Sequence, residues 1–199
     1  MDSAKLSARV CSYFGARAGY GSGMDDIVTD RLRLRPLGVE DLDAYAGIMG
    51  EPEVGKWFPK GTSYTREESE KSLSSIMEHW DKYGFGIWAV RTRGSPTLLG
   101  RCGLNTVTEI GEVEVDFAFS KAFWGRGYGT ESARAALLFG FQNLSLKVII
   151  GLAKPDNTAS RRVLEKIGMH FVGNIRLWGI DCTYYAISES EYLRLASTR

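Results

Sequence analysis

Small and conformationally permissive residues crowd the segment Trp124-Gly125-Arg126-Gly127-Tyr128-Gly129-Thr130, which stands where a β-rich stretch gives way to a helical pattern. Such a junction aims backbone N–H groups and the positive end of a helix at whatever lies in front of it, an arrangement that can hold a phosphate. Glycine lets the backbone come close to the anion. The same residues could equally form a tight strand-to-helix turn with no ligand. Rival nucleotide motifs are absent: there is no Gly-Lys-Ser/Thr of a P-loop, and neither the third glycine nor the downstream acid of a dinucleotide fingerprint.

Two further groupings carry potential chemistry. In Glu112-Val113-Glu114-Val115-Asp116 the period of two puts three carboxylates on one strand face, opposite Val113, Val115 and Phe117. Crowded carboxylates have raised pKa values and can then take a proton from an amine. A solvated strand face is the plain alternative. Farther on, Pro155-Asp156-Asn157-Thr158-Ala159-Ser160 opens a helix, with Asn157 and Ser160 one turn apart on the same side. Asn157 could act only as a cap and Ser160 only as a small filler. Cys102 and Cys182 lie in apolar strand patterns and read as packing residues, His79 is expected at a helix rim and His170 in a strand. Three cysteines, far apart and with no Cys-x-x-Cys, support neither a disulfide framework nor a zinc site. The aromatic residues Trp57-Phe58-Pro59 and Trp178 read either as walls of an acceptor pocket or as plain anchors.

These groups need elements to position them, and the pattern supplies a regular series. Leu32, Leu34 and Pro36 alternate with Arg31, Arg33 and Arg35 as in a half-buried strand. Val39 to Met49 reads as a short helix ending at Gly50. Thr65 and Glu68 form a capping box ahead of Leu73, Ile76, Met77 and Trp80 at helical spacing, and Gly84 closes that helix. Phe85–Arg91, Thr97–Thr108 and Glu112–Ser120 read as consecutive antiparallel strands. A helix through Ala133–Leu144, a strand at Lys147–Ala153, a helix from Asn157 to Gly168 and two strands near His170–Trp178 and Cys182–Ser188 follow. The order is an α+β layer architecture with mixed strand directions.

The 199 residues, 44% apolar and 12% aromatic, suffice for one substantial core. Residues 1–23, with Lys5, Arg9 and Arg17 against Asp2 and four glycines from Gly15 to Gly23, read as a flexible tail, and residues 24–199 as a single domain. A native extension, an upstream start with Met24 as the original initiator, and a weak transit peptide all fit that tail. With 25 basic and 24 acidic residues the formal charge is +1, which excludes an extended electrostatic footprint for nucleic acid or an anionic membrane. No run nears the roughly 18 apolar residues of a membrane span, and no secretory signal opens the chain. The expected setting is cytoplasmic.

Taken together, the strand ending at Ser120, the glycine-rich loop and the Asn-x-x-Ser helix resemble the acetyl-CoA-dependent N-acetyltransferases of the GNAT superfamily, from about Thr29 to Ser188. The segments Thr29-Asp30-Arg31-Leu32-Arg33-Leu34-Arg35-Pro36, Gly84-Phe85-Gly86-Ile87-Trp88-Ala89-Val90, Leu99-Gly100-Arg101-Cys102-Gly103-Leu104 and Phe123-Trp124-Gly125-Arg126-Gly127-Tyr128-Gly129 are similar to its RimJ/RimL-like branch. The resemblance implies a mixed central sheet of about seven strands with helices on both faces. It implies acetyl-CoA as co-substrate, its arm running along Phe117 to Phe119 and its pyrophosphate on the amides of Gly125, Arg126, Gly127, Gly129 and Thr130, with Asn157 and Ser160 alongside. It implies an oxyanion donor at a strand bulge near Phe119, Glu114 as the base for an incoming ammonium, and no metal.

Two positions depart from the family. Trp124 replaces the usual Gln or Arg at the loop entry, and Leu164 replaces a Tyr that protonates the departing thiolate, which leaves Ser160 as the nearest donor. The base that part of the branch places before the last strand pair falls on Trp178 or Gly179 and does not carry over. The implied function is acetyl transfer to a primary amine, a protein N-terminus or a small molecule, by a monomer or homodimer. A catalytically silent acyl-CoA-binding regulatory relative is the alternative.

Overall fold

A computed structural model describes residues 26–197. Its strands are β1 (Ile27–Val28), β2 (Leu32–Pro36), β3 (Ile87–Thr92), β4 (Leu98–Val107), β5 (Glu112–Phe119), β6 (Val148–Ala153), β7 (His170–Leu177) and β8 (Ile180–Ser188). They form one sheet in the order β1-β2-β3-β4-β5-β6-β8-β7. The helices are α1 (Leu42–Met49), α2 (Pro52–Gly55), α3 (Arg66–Tyr83), α4 (Tyr128–Gln142), α5 (Thr158–Lys166) and α6 (Glu189–Ser197). Eight strands replace the expected seven or so. The addition is the two-residue β1, too short to leave an alternation pattern. The short α2 and the C-terminal α6 also lie outside the expected series, and the tail at residues 1–23 lies outside the described residues.

Local chemistry accounts for the element ends. Thr65 and Glu68 close the capping box in both directions, Glu68 N–H to Thr65 Oγ1 at 3.2 Å and Thr65 N–H to Glu68 Oε2 at 2.7 Å. Gly84 ends α3 at φ +72°, in the left-handed region that favours glycine.

The period of two sorts the strands onto two faces. Leu32, Leu34, Val90, Cys102, Leu104, Val115 and Ile149 pack with Ala133, Ala136 and Leu137 of α4 and Leu164 of α5. On the other face Ala89, Leu98 and Ala118 meet Tyr45, Ile48 and Met49 of α1 and Leu73 of α3. Helices thus cover both faces.

The pairings are antiparallel except where β5 runs parallel to β6, meeting it in register at Glu114 and Ile150. Beyond that pair no ladder joins 115–119 to 151–153 among the described residues, so the sheet opens as a seam at the C-terminal ends of β5 and β6. The β4/β5 register is unbroken from Gly100 opposite Phe119 to Val107 opposite Glu112. The expected bulge near Phe119 is therefore absent from that ladder. Register shifts lie elsewhere: in the β3/β4 ladder Val90 faces Gly100 and Arg91 faces Leu98, leaving Leu99 as the extra residue, and in the β7/β8 ladder the register shifts between Phe171 and Gly173.

Candidate active site

The opening of the seam exposes one edge of β5. Ser120 N–H donates to Leu99 O at 3.0 Å, across the β4 side. Alternation then turns the N–H groups of Phe117 and Phe119 toward β6, beyond the last β5/β6 ladder pair among the described residues. The carbonyl of Phe119 faces the same way and accepts the indole N–H of Trp124 at 2.8 Å. Trp124 thus has a structural task at the entry of the loop, which its sequence position alone did not reveal. The side chains of Phe117 and Phe119 turn into the core under α4.

The glycine-rich loop joins this edge to α4. Gly125 and Gly127 hold φ of +75° and +81°, a conformation that costs other residues dearly. A Cβ on Gly127 would also stand 3.3 Å from Arg31 Nη2, whereas one on Gly129 would make only ordinary contact with Phe119 and Val163. The need for glycine is therefore conformational at 125 and 127, not at 129. The first-turn amides of α4, from Tyr128 to Thr130, lack intrahelical acceptors by position and stay available to a ligand. Arg126 is exposed.

A brace from the start of the domain fixes the loop, one that the sequence pattern did not disclose. Arg31 donates Nη1–H to the Arg126 carbonyl at 3.0 Å and Nε–H to Glu131 at 2.7 Å. Glu131 also accepts from Thr29 Oγ1–H at 2.6 Å and Arg31 N–H at 3.0 Å. The guanidinium of Arg31 lies 4.9 Å from the centre of the Tyr128 ring.

On the opposite side of the seam, Asn157 caps α5. Its Oδ1 accepts Ser160 N–H at 3.1 Å, so the two residues are together as expected. Asn157 is buried and Ser160 half-buried. Val163 of α5 and Phe119 of β5 both reach the Gly129 backbone, which places loop, seam and α5 around one opening. Leu164 is buried against Gly151.

The three carboxylates do share a face, but their surroundings differ. Glu114 is only 8% exposed and sits at the register pair where β5 and β6 part. Burial, reinforced by the negative charge of Asp116, pushes its pKa up to about 8, against the opposing pull of the Asn105 amide at 3.4 Å and the charge of Arg101. A solvated-face reading therefore fails for Glu114. Asp116 pairs with Arg101 at 2.5 Å, and Glu112 accepts the Tyr184 hydroxyl proton at 2.7 Å. Arg101 joins this cluster without having been singled out from the sequence; its signal was a lone charge inside the apolar run Leu98–Leu104. Its Nε is buried and makes no hydrogen bond among the described residues. Arg101, Asn105 and Asp116 line, with Ser72, Ser75 and His79 of α3, a cavity of about 220 Å³.

The remaining expectations divide. Phe58 is a core anchor stacked 4.4 Å from Tyr64. Trp178 is exposed at the tip of the β7/β8 hairpin and donates its indole N–H to Glu109 at 2.7 Å. His79 bridges Phe85 O and Thr106. Cys102 and Cys182 are free and buried, and burial pushes the Cys102 thiol up to about 12, well away from a nucleophile's range. No cluster of metal-ligating side chains occurs among the described residues. No described helix is long and apolar enough to cross a membrane.

Comparison with known proteins agrees with this geometry. Residues 31–170 match the acetyltransferase (GNAT) domain family. The chain is 33% identical to the uncharacterized protein YkkB of Bacillus subtilis over 80% of its own length and 93% of that protein's. It is 28% identical to the uncharacterized N-acetyltransferase YnaD of the same organism, over 83% and 98%. A GNAT-family acetyltransferase structure from Bacillus anthracis superposes with a TM-score of 0.71 at 28% identity, covering 83% of this chain and 99% of that one. The chain belongs to the GNAT acetyltransferase family and is an acetyltransferase.

Proposed function

We propose that the protein transfers the acetyl group of acetyl-CoA to a primary amine by direct attack of the amine on the thioester, with Glu114 as general base. One observation carries this reading: a buried carboxylate of raised pKa at the point where β5 and β6 separate. A protonated amine has no lone pair and must lose its proton first. A carboxylate near pKa 8 takes that proton with less free-energy cost than one of ordinary acidity.

The residues around the seam supply the rest. In this reading the free N–H edge of Phe117 and Phe119 pairs with the arm of the co-substrate, and the Phe119 N–H is placed to receive the oxyanion as the tetrahedral centre forms. The amides from Gly125 to Thr130, with Arg126, hold the pyrophosphate. Asn157 and Ser160 flank the arm, and the Ser160 hydroxyl is the nearest proton donor for the departing thiolate, Leu164 having none to give. Holding both reactants in one opening lowers the barrier further. No covalent enzyme intermediate and no metal are needed.

The cavity lined by Arg101, Asn105 and Asp116 lies on the Glu114 face and is the proposed seat of the acceptor, a protein N-terminus or a small amine. The segments Thr29–Pro36 and Leu99–Leu104 favour a RimJ/RimL-like enzyme, cytoplasmic and monomeric or homodimeric, with residues 24–199 as its single domain. The test is release of CoA thiol on incubation with acetyl-CoA and a panel of N-terminal peptides, amino acids and polyamines. Amine-dependent release supports the reading. Binding of CoA with no release for any amine would favour the silent regulatory relative.

A further inference from the structure

The alternating Arg31-Leu32-Arg33-Leu34-Arg35 pattern is only partly absorbed by the acetyl-transfer site, since Arg31 braces the loop while Arg33 and Arg35 do not reach it. Leu32 and Leu34 fill the core, so Arg33 and Arg35 project from the other face of β2. Arg33 lies directly opposite Arg91 in the β2/β3 ladder. Like charges opposite each other on neighbouring strands destabilise a sheet, so this placement needs a compensating group.

Within the chain three carboxylates, Asp41, Glu40 and Asp26, meet the three guanidinium groups of Arg33, Arg35 and Arg91, and one of the three is shared. Asp41, 1% exposed, accepts from Nη2 of Arg35 at 2.9 Å and from Nη2 of Arg91 through the same oxygen, Oδ1. Its other oxygen takes the Gly38 N–H at 3.1 Å. One buried carboxylate therefore serves two guanidinium groups. Exposed Glu40 takes a second proton of Arg35 at 2.5 Å, and Asp26 takes Nε–H of Arg33. Arg91 donates Nε–H to Pro96 O at 3.0 Å, but its Nη1 is buried and has no hydrogen-bond partner among the described residues. A buried guanidinium N–H left unpaired costs more than a neutral one.

The three arginines line a cavity of about 390 Å³ together with Thr92, Ser95 and Pro96, and no acidic side chain lines it. We infer that this cavity is a binding site for a small oxyanion, the phosphate or carboxylate group of a free solute. A guanidinium fork matches both groups in geometry and charge. Arg33, Arg35 and Arg91 supply the guanidinium groups of the lining, with Thr92 and Ser95 as its hydroxyl residues. The site is on β2 and β3, away from the β5/β6 seam, and makes no use of Glu114 or the glycine-rich loop.

Thermal unfolding tests the inference in the full chain with saturating CoA present, so that the loop at Gly125–Thr130 is already filled. Inorganic phosphate and succinate are compared with sodium chloride at equal ionic strength. At least one of the two anions should raise the melting temperature beyond the chloride control, and which one does so tells phosphate from carboxylate. Arg33→Glu puts a carboxylate opposite Arg91 in place of the Arg33–Asp26 pair, and, measured against its own melting temperature without anion, it should weaken anion binding about tenfold or more. Arg33→Gln, which removes the charge and adds none, should weaken binding less. If neither anion shifts the parent beyond chloride, or if both variants respond as the parent does, the cavity is not an anion site.

Discussion

Two ionic clusters occupy the same face of the sheet, and each is built around one shared ion, a cation in the first and an anion in the second. At the seam, Arg101 faces two carboxylates, Asp116 and Glu114. At the β2/β3 edge, Asp41 faces two guanidinium groups, Arg35 and Arg91. The contrast separates a charge that can neutralise itself from one that cannot. A surplus carboxylate in a buried place has a raised pKa, and its ionised form is then a stronger base toward an ammonium. The guanidinium groups at the edge stay charged at any accessible pH, and the exposed Glu40 and Asp26 add the carboxylates that Asp41 alone does not supply.

The largest effects should come from removing the shared ion of each cluster. Arg101→Met leaves Asp116 and Glu114 without a counter-charge and should cost about 3–5 kcal/mol in urea unfolding, with Arg101→Met/Asp116→Asn recovering most of the loss. Asp41→Asn should cost a similar amount at the edge. A loss below about 1 kcal/mol for either single change would mean that the cluster behaves as an exposed ion pair, and the comparison would collapse.

Next in size is Gly127→Val. A β-branched residue at φ +81°, with its Cβ 3.3 Å from Arg31 Nη2, should cost about 1–3 kcal/mol and weaken CoA binding by about tenfold or more in a calorimetric titration. Parental CoA affinity would show that the loop is only a turn.

A smaller effect sharpens the electrostatic side. Because the Glu114 pKa is raised from the ordinary 4.5 to about 8, its protonated form stabilises the fold fully below the lower value, and that contribution disappears as pH climbs through the upper one. Glu114→Gln keeps the neutral shape at every pH. It should therefore stabilise the protein by about 2 kcal/mol at pH 9 and change little at pH 5, read from unfolding curves at both values. The smallest change is expected for Glu112→Gln, which removes a charge but keeps an amide oxygen to accept the Tyr184 hydroxyl proton; turnover should stay within about threefold of the parent.

Much of this arrangement was legible in the sequence because period and punctuation are local signals. Thr65 and Glu68 announced α3, the alternation through Glu112–Phe119 assigned each residue its face, and Asn157 announced the cap of α5. What was hidden depended on contacts between distant segments. Nothing near Arg31 points to Arg126 and Glu131, about a hundred positions away, and nothing in the three similar acids tells which one lies where β5 and β6 part. The bulge moved to Leu99 because register is a property of a strand pair, not of one strand. The two-residue β1 carried too few positions for any period, and α6 follows β8 without a break in the pattern.

The central claim is that Glu114 removes the proton. Its most direct test is the pH dependence of turnover for the parent and Glu114→Gln at saturating acetyl-CoA, with the best acceptor from the panel. The parent rate should rise through an inflection near the pKa of about 8, and the variant should be slower by about two to four decades near neutrality, the gap narrowing as alkali deprotonates the free amine. A variant that turns over at nearly the parental rate at pH 7, with the same inflection, would contradict the assignment and move the base elsewhere on the seam.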